Sequence, residues 1–247
     1  YPLRRQRQMC IRDSNIYTTT YLYVVRKTNS VSPNTRTVSY NEFTQLYPDD
    51  RNYYYTQLQV IGLRTPGGVH NMTNNLIHHI KPKYNSSYAA QAGYLFYNST
   101  GNSGTYNFSN NTMDQIDFSN SAAIGYALYA YFNSYTKAMP VAKNNILSTF
   151  VGNPSQYMYG YYHYYNGVNG VTYCNAYDVQ YPWINFTNMT GNIEKDPEYE
   201  NNTTPPYDYN LQDSSPCKGT GYNGDDMGCY GNMGTGQTIV GIVTPLD

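Results

Sequence analysis

The 247-residue chain is short of charge. Lys, Arg, Asp and Glu make up 13% of it, about half the usual share of roughly 25%. The formal net charge is −1. These values argue against nucleic-acid binding driven by a basic surface and against disorder driven by charge repulsion. No run of about 18 apolar residues occurs, so no transmembrane helix is expected. There is no Walker A loop, no His-Glu-x-x-His, no Cys-x-x-Cys and no Gly-x-Ser-x-Gly, which removes the commonest nucleotide, zinc, redox and hydrolase signatures. What is abundant is tyrosine, the commonest residue at 32, with asparagine nearly as frequent. A Tyr- and Asn-rich chain poor in Lys and Glu favours strands and turns over helices. Its length allows a sizeable core.

Residues 1–14 fit no later pattern. Met9-Cys10-Ile11-Arg12-Asp13-Ser14 reads like the translation of a sequencing-library adapter. They are therefore set aside from the fold argument, which leaves Cys174, Cys217 and Cys229.

A six-residue pattern recurs through the chain: apolar, two residues, Asn, one residue, apolar. It occurs as Val38-Ser39-Tyr40-Asn41-Glu42-Phe43, Met72-Thr73-Asn74-Asn75-Leu76-Ile77 and Phe108-Ser109-Asn110-Asn111-Thr112-Met113. It continues as Val141-Ala142-Lys143-Asn144-Asn145-Ile146 and, with Cys in place of Asn, Val171-Thr172-Tyr173-Cys174-Asn175-Ala176. First positions at 38, 72, 108, 141 and 171 give steps of 34, 36, 33 and 30. Such a period marks a repeat architecture. Each copy has strand-like composition, and the Ser121–Phe132 stretch also reads as strand, because its tyrosines alternate at period 2. In stacked strands about 4.8 Å apart, an inward Asn amide can bond the Asn above and below it. Asn41, Asn75, Asn111 and Asn144 are the expected ladder. Loops are expected at Asn29–Thr35, Pro48–Tyr54, Lys81–Tyr88, Tyr97–Thr105 and Gly152–Gly170. The repeat is expected to end after about residue 178.

The tail carries three ordered segments. They are Gly191-Asn192-Ile193-Glu194-Lys195-Asp196-Pro197-Glu198-Tyr199, Asp208-Tyr209-Asn210-Leu211-Gln212-Asp213-Ser214-Ser215-Pro216-Cys217 and Asp226-Met227-Gly228-Cys229-Tyr230-Gly231. Together they resemble the closing segment of bacterial right-handed parallel β-helix proteins of the pectin-lyase-like superfamily, which runs N-I-x-x-D-P-x-F, D-Y-x-L-x-x-x-S-P-A and D-x-G-A-Y-G. The resemblance implies an all-β, right-handed parallel β-helix, represented by a C-terminal fragment lacking its first rungs. Rungs with loops would span 15–178, and a loop-rich closing segment 179–247. Cys217 and Cys229 both stand where that family has Ala. The paired replacement implies either a Cys217–Cys229 disulfide, hence an oxidising compartment, or two separately buried thiols.

The family also frames the chemistry. Members that cleave acidic polysaccharides do so by β-elimination, with a Lys, Arg, His or Tyr base and with calcium or basic side chains neutralising the uronate carboxylate. Arg64, His78, Lys81 and Lys83 are the cationic candidates here, and calcium is the cofactor if the chain is a lyase. Asp114 and Asp117 are a carboxylate pair of the kind the hydrolase branch uses, although three residues apart on one strand they face opposite sides. The same rule places only one of His78 and His79 on a given face, so no metal site is expected from them. The tyrosine runs offer a second chemistry, since aromatic faces with hydroxyls suit sugar rings. Tyr161 and Tyr162 are the expected exposed pair; the alternative is tyrosines stacked rung on rung. The expectation is an extracellular or cell-surface protein that interacts with a polysaccharide or glycan, either a lyase or a non-catalytic adhesin or stalk, phage and viral fibres included. Nucleic acid and a transmembrane segment are not expected, and the oligomeric state is left open.

Overall fold

A computed structural model of the chain describes residues 21–28, 35–44, 57–64, 69–81, 92–100, 105–119, 124–132, 141–152, 157–167, 170–186, 188–231, 233 and 238–243. Residues 1–14 and Lys83 lie outside the described residues, as do most of the first three expected loops.

Nearly all regular structure is parallel strand. The chain passes through three sheets in a fixed order. The first pass is β1 (Tyr21–Thr28), β2 (Thr35–Ser39) and β3 (Asn41–Thr44). The second is β4 (Gln57–Arg64), β5 (Val69–Thr73) and β6 (Leu76–Ile80). The third is β7 (Ala92–Thr100), β8 (Thr105–Ser109) and β9 (Thr112–Phe118). The fourth is β10 (Ile124–Phe132), β11 (Val141–Lys143) and β12 (Ile146–Gly152). The fifth is β13 (Met158–Gly167), β14 (Val171–Thr172) and β15 (Asn175–Val179), and β16 (Tyr181–Phe186) follows. The first strand of every pass joins sheet A, the second sheet B and the third sheet C. This arrangement of parallel strands in stacked sheets is compatible with a β-helix.

Register explains why the repeat packs. In-register parallel strands put equivalent side chains above one another. Val38, Met72, Phe108, Ala142 and Val171 are partners in sheet B. Phe43, Ile77, Met113, Leu147 and Ala176 are partners in sheet C, as are Ile80, Ile116, Phe150 and Val179. Nearly all of these are buried in one apolar cluster. Each full burial of such a side chain favours folding by about 1.5–3 kcal/mol.

Two corners per pass bend the chain. Tyr40, Asn74, Asn110, Asn144 and Tyr173 have φ between 53° and 58°. His79, Gln115, Thr149 and Asp178 form the second corner, with φ between 49° and 54°. Asn tolerates this left-handed conformation better than most residues, which accounts for the Asn-Asn pairs.

Two expected loops are shorter than their sequence suggested. Tyr97–Thr100 belongs to β7, and the Gly152–Gly170 stretch encloses the ten-residue β13. The aromatic run from Tyr159 to Tyr165 has the propensity of a strand and finds a place between β10 and β16.

The tail runs back along the outside of sheet C. It contains an antiparallel pair, β17 (Tyr199–Asn201) and β18 (Asp208–Leu211). It ends in β19 (Val240–Val243), which pairs in parallel with β3. Among the described residues no helix is long and apolar enough to cross a membrane.

Candidate functional site

The asparagine ladder is continuous through the interior. The Asn41 and Asn75 side chains donate to the amide oxygen of the next member, Asn75 and Asn111, at 3.0 Å, and Asn111 donates to Asn145 at 2.9 Å. The same acceptors take the backbone N–H of Asn41, Asn75 and Asn111. The fourth member is therefore Asn145, not Asn144. Ala142, not Val141, is the partner of Phe108, so the fourth copy of the pattern begins one residue later than its sequence suggested. Asn144 is the corner residue, equivalent to Asn74 and Asn110.

Cys174 takes the fifth place. Its Sγ accepts from Asn145 N at 3.4 Å, and its own N–H donates to Asn192 Oδ1 at 3.0 Å. Asn192 also donates to Val171 O, as Asn111 does to Met72 O. Met189-Thr190-Gly191-Asn192-Ile193 is thus a sixth copy that carries the ladder beyond residue 178. Gly191 holds its corner at φ 72°. Burial pushes the Cys174 thiol up to about 11, which makes it a packing residue, not a nucleophile.

The outer face of sheet C is where polar chemistry gathers. Thr44, His78, Asp114 and Ser148 occupy one position on successive strands. All four are buried because the tail lies over them. His78 Nε2 is 2.8 Å from Glu42 Oε1, and its Nδ1 is 2.8 Å from Nδ1 of His79. An ionised Glu42 can only accept, so Nε2 of His78 carries the proton. One of the two facing Nδ1 atoms of His78 and His79 donates and the other accepts. Adjacent histidines meet because His79 is a left-handed corner, which cancels the strand alternation. Tyr207 stacks on His79 with centroids 4.1 Å apart. Burial, then the neighbouring His78, lowers the His79 imidazole to about 4.

Ser148 Oγ donates to Asp114 Oδ1 at 2.7 Å, and Asn202 Nδ2 donates to Oδ2 at 2.9 Å. Burial raises the Asp114 carboxyl against these bonds. A Ser, a His and an Asp share this column, but they are not connected as a nucleophile and base. Ser148 bonds the carboxylate directly, and His78 bonds Glu42. Lys81 pairs with Asp117 at 2.7 Å. Partial burial would raise Asp117, but hydrogen bonds from Lys81 and Ser119 and the Lys81 charge hold it below the usual range. Arg64 ends β4 in sheet A, away from His78 and Lys81 in the chain's path through the sheets. Among the described residues no three His, Cys, Asp or Glu side chains gather as a metal site requires.

Cys217 and Cys229 are free and buried. They belong to one apolar cluster with Leu76, Ile146, Tyr199, Tyr209 and Met227, between the tail and sheet C. Burial pushes each thiol up to about 12. They act as small apolar packing residues, so the expected disulfide is replaced by the two separate thiols.

The tyrosines divide between core and surface. Tyr161 is fully buried, stacked on Trp183 at 5.0 Å, so the expected exposed pair is not a pair. Val60 is also buried, and its neighbour Ile61 shares a column with Tyr161 through Phe96 and Leu128. Tyr159 and Tyr162 are partly exposed, with centroids 5.1 Å apart. Tyr157, half exposed, and Tyr181 complete the group, 5.5–5.9 Å from Tyr159. The backbone register extends it. Tyr94, Tyr126, Tyr159 and Tyr181 form one column, and Tyr97, Tyr129 and Tyr162 a second.

No family model, curated protein or solved structure matches the chain.

Proposed function

We propose that the chain is a right-handed parallel β-helix of the pectin-lyase-like type, placed at the cell surface or outside the cell, that binds carbohydrate through the tyrosine face of sheet A. The observation that carries this reading is the partly exposed group Tyr157, Tyr159, Tyr162 and Tyr181 at the end of two tyrosine columns. Tyr combines apolar contact area, low entropic cost and a hydroxyl. The ordered passes through three parallel sheets support the β-helix reading. Binding without cleavage is favoured over β-elimination by the state of two cationic candidates. His78 is buried beneath Tyr207 and Tyr209, and Lys81 is engaged by Asp117.

The test is a polysaccharide panel assayed in two ways. Retardation in polysaccharide-containing gels reads binding, and absorbance of unsaturated uronate reads cleavage. Retardation without unsaturated product is the expected result. No retardation by any glycan overturns the proposal. Unsaturated product restores the lyase reading.

A further inference from the structure

We infer that the end of sheet C beside Asp178 is a docking edge for an extended peptide strand in which an apolar residue is flanked by Lys or Arg.

β15 is the terminal strand of sheet C. The sixth copy of the repeat begins to cover it. Ala176 N–H donates to Ile193 O at 3.1 Å, and Ile193 N–H donates to Cys174 O at 2.9 Å. The chain then turns away, with Lys195 tied to Asn175 by two hydrogen bonds. Past the Asn175–Ile193 bridge, Tyr177 and Val179 pair with β12 alone among the described residues. In a parallel ladder a residue turns its N–H and C=O to the same side, so the Ala176 carbonyl faces the uncovered side. An open edge of this kind is a template for one more strand.

A cleft of about 410 Å³ lies along this edge, lined by the consecutive residues 176–180 together with Phe150, Val151 and Glu194. A wall made of consecutive strand residues suits an extended chain better than a compact ligand. Phe150 and Val179 belong to the inward column that also holds Ile80 and Ile116. The next strand in register therefore sets one side chain over Val179, and an apolar residue fits there as Val179 fits over Phe150. Its neighbours along the strand point outward and meet negative charge. The cleft carries the exposed carboxylates of Asp178 and Glu194 and no Lys, Arg or His. Glu194 accepts from Trp183 Nε1 through one oxygen, Oε1, at 2.8 Å. The tail around it, residues 188–231, holds eight Asp or Glu but only Lys195 and Lys218, and Lys218 is paired with Asp213. Such a surface selects a cationic partner.

The experiment is fluorescence anisotropy of short dye-labelled peptides titrated with the full chain. The probes are an alternating Lys–Val peptide, its Glu–Val counterpart, the Lys–Val peptide with alternate amides N-methylated, and a Lys–Ser peptide of the same charge. The Lys–Val peptide is expected to bind, and the other three at least about tenfold more weakly. Asp178→Asn tolerates the left-handed corner, and Glu194→Gln keeps an acceptor for Trp183. Each is expected to weaken binding about two- to fivefold. Asp213→Asn, on the tail but outside the cleft, is expected to leave it unchanged. Equal binding of the N-methylated peptide overturns edge pairing and the proposal with it. Equal binding of the Lys–Ser peptide, or equal weakening by Asp213→Asn, reduces the contact to diffuse charge attraction and overturns it too. So does full affinity in both cleft variants, or no binding by any peptide.

Discussion

Side-chain amides stacked in a dry interior set the stakes at single residues. The Asn111 side chain receives two hydrogen bonds from Asn75 and gives one each to Asn145, Met72 O and Ser109 O, and its backbone N–H gives a second to Asn145. Truncating it strands several buried groups, each costing about 1–3 kcal/mol. Asn111→Ala is expected to lose about 3 kcal/mol or more in urea unfolding. Asn144→Gly keeps the left-handed corner and loses only the bond from Tyr222 N–H to Oδ1, so its loss should be clearly smaller. Equal losses would show that the two asparagines are not in different roles. The first three ladder positions were legible in the sequence because a single apolar residue sets the frame there. The fourth slipped because Val141 and Ala142 are both apolar and either can begin the pattern. Only the backbone decides, since the first Asn of the pair turns the corner and the second faces inward. Asn192 was hidden by its spacing, 18 residues after Cys174, and by Gly191 standing in for the corner Asn.

At the scale of elements, sheet C and the tail are joined through polar groups as well as through the apolar cluster. Asn74 donates to Cys229 O and Gly231 O, and Gly228 N–H donates to Asn144 O. Asn175 exchanges two bonds with Lys195. The His79–Tyr207 stack is part of this contact and gives it a pH dependence. The His79 pKa is depressed from 6.5 to about 4, so the unfolded chain binds its proton first as pH falls. Stability from this group is complete above about pH 6.5 and is lost as pH drops towards about 4. Asp114, with its raised pKa, works oppositely, losing stability as pH rises above its ordinary value. Comparing the protein with His79→Asn, which tolerates the corner, separates the two. Denaturation midpoints of the unmodified protein should fall between pH 6.5 and pH 4 more steeply than those of the variant. Parallel curves would remove His79 from the latch. The sequence identified these histidines but not their contact, because strand alternation was assumed across a corner. At Tyr161 and Tyr162 alternation itself separates the expected pair, with Tyr161 buried and Tyr162 partly exposed. Glu42 and Ser148 of sheet C and Tyr207 of the tail carried no sequence signal, since a single Glu, Ser or Tyr acquires its role only from what packs against it.

On the scale of the whole molecule, three parallel sheets share one interior, and repetition made them readable. A residue pattern recurring at a near-constant step supplies the order of strands, their register and the inward columns together. What repetition could not supply was the tail beyond Ile193, which has no counterpart elsewhere in the chain.

The pairing of β19 with β3 has a consequence for how the chain acquires its form during synthesis. Val240 lies beside Asn41, so two segments about 200 residues apart in sequence must meet. Each pass can settle on the one before it as it emerges, but the outer face of sheet C waits for the tail. Leu76 and Ile146 therefore stay uncovered until the tail has emerged, and long-range closure of this kind is slow. Ribosome-bound chains halted before residue 190 should bind an apolar-surface dye that released chains carrying the tail exclude. Equal dye binding by both would mean that the tail is not the last piece to arrive.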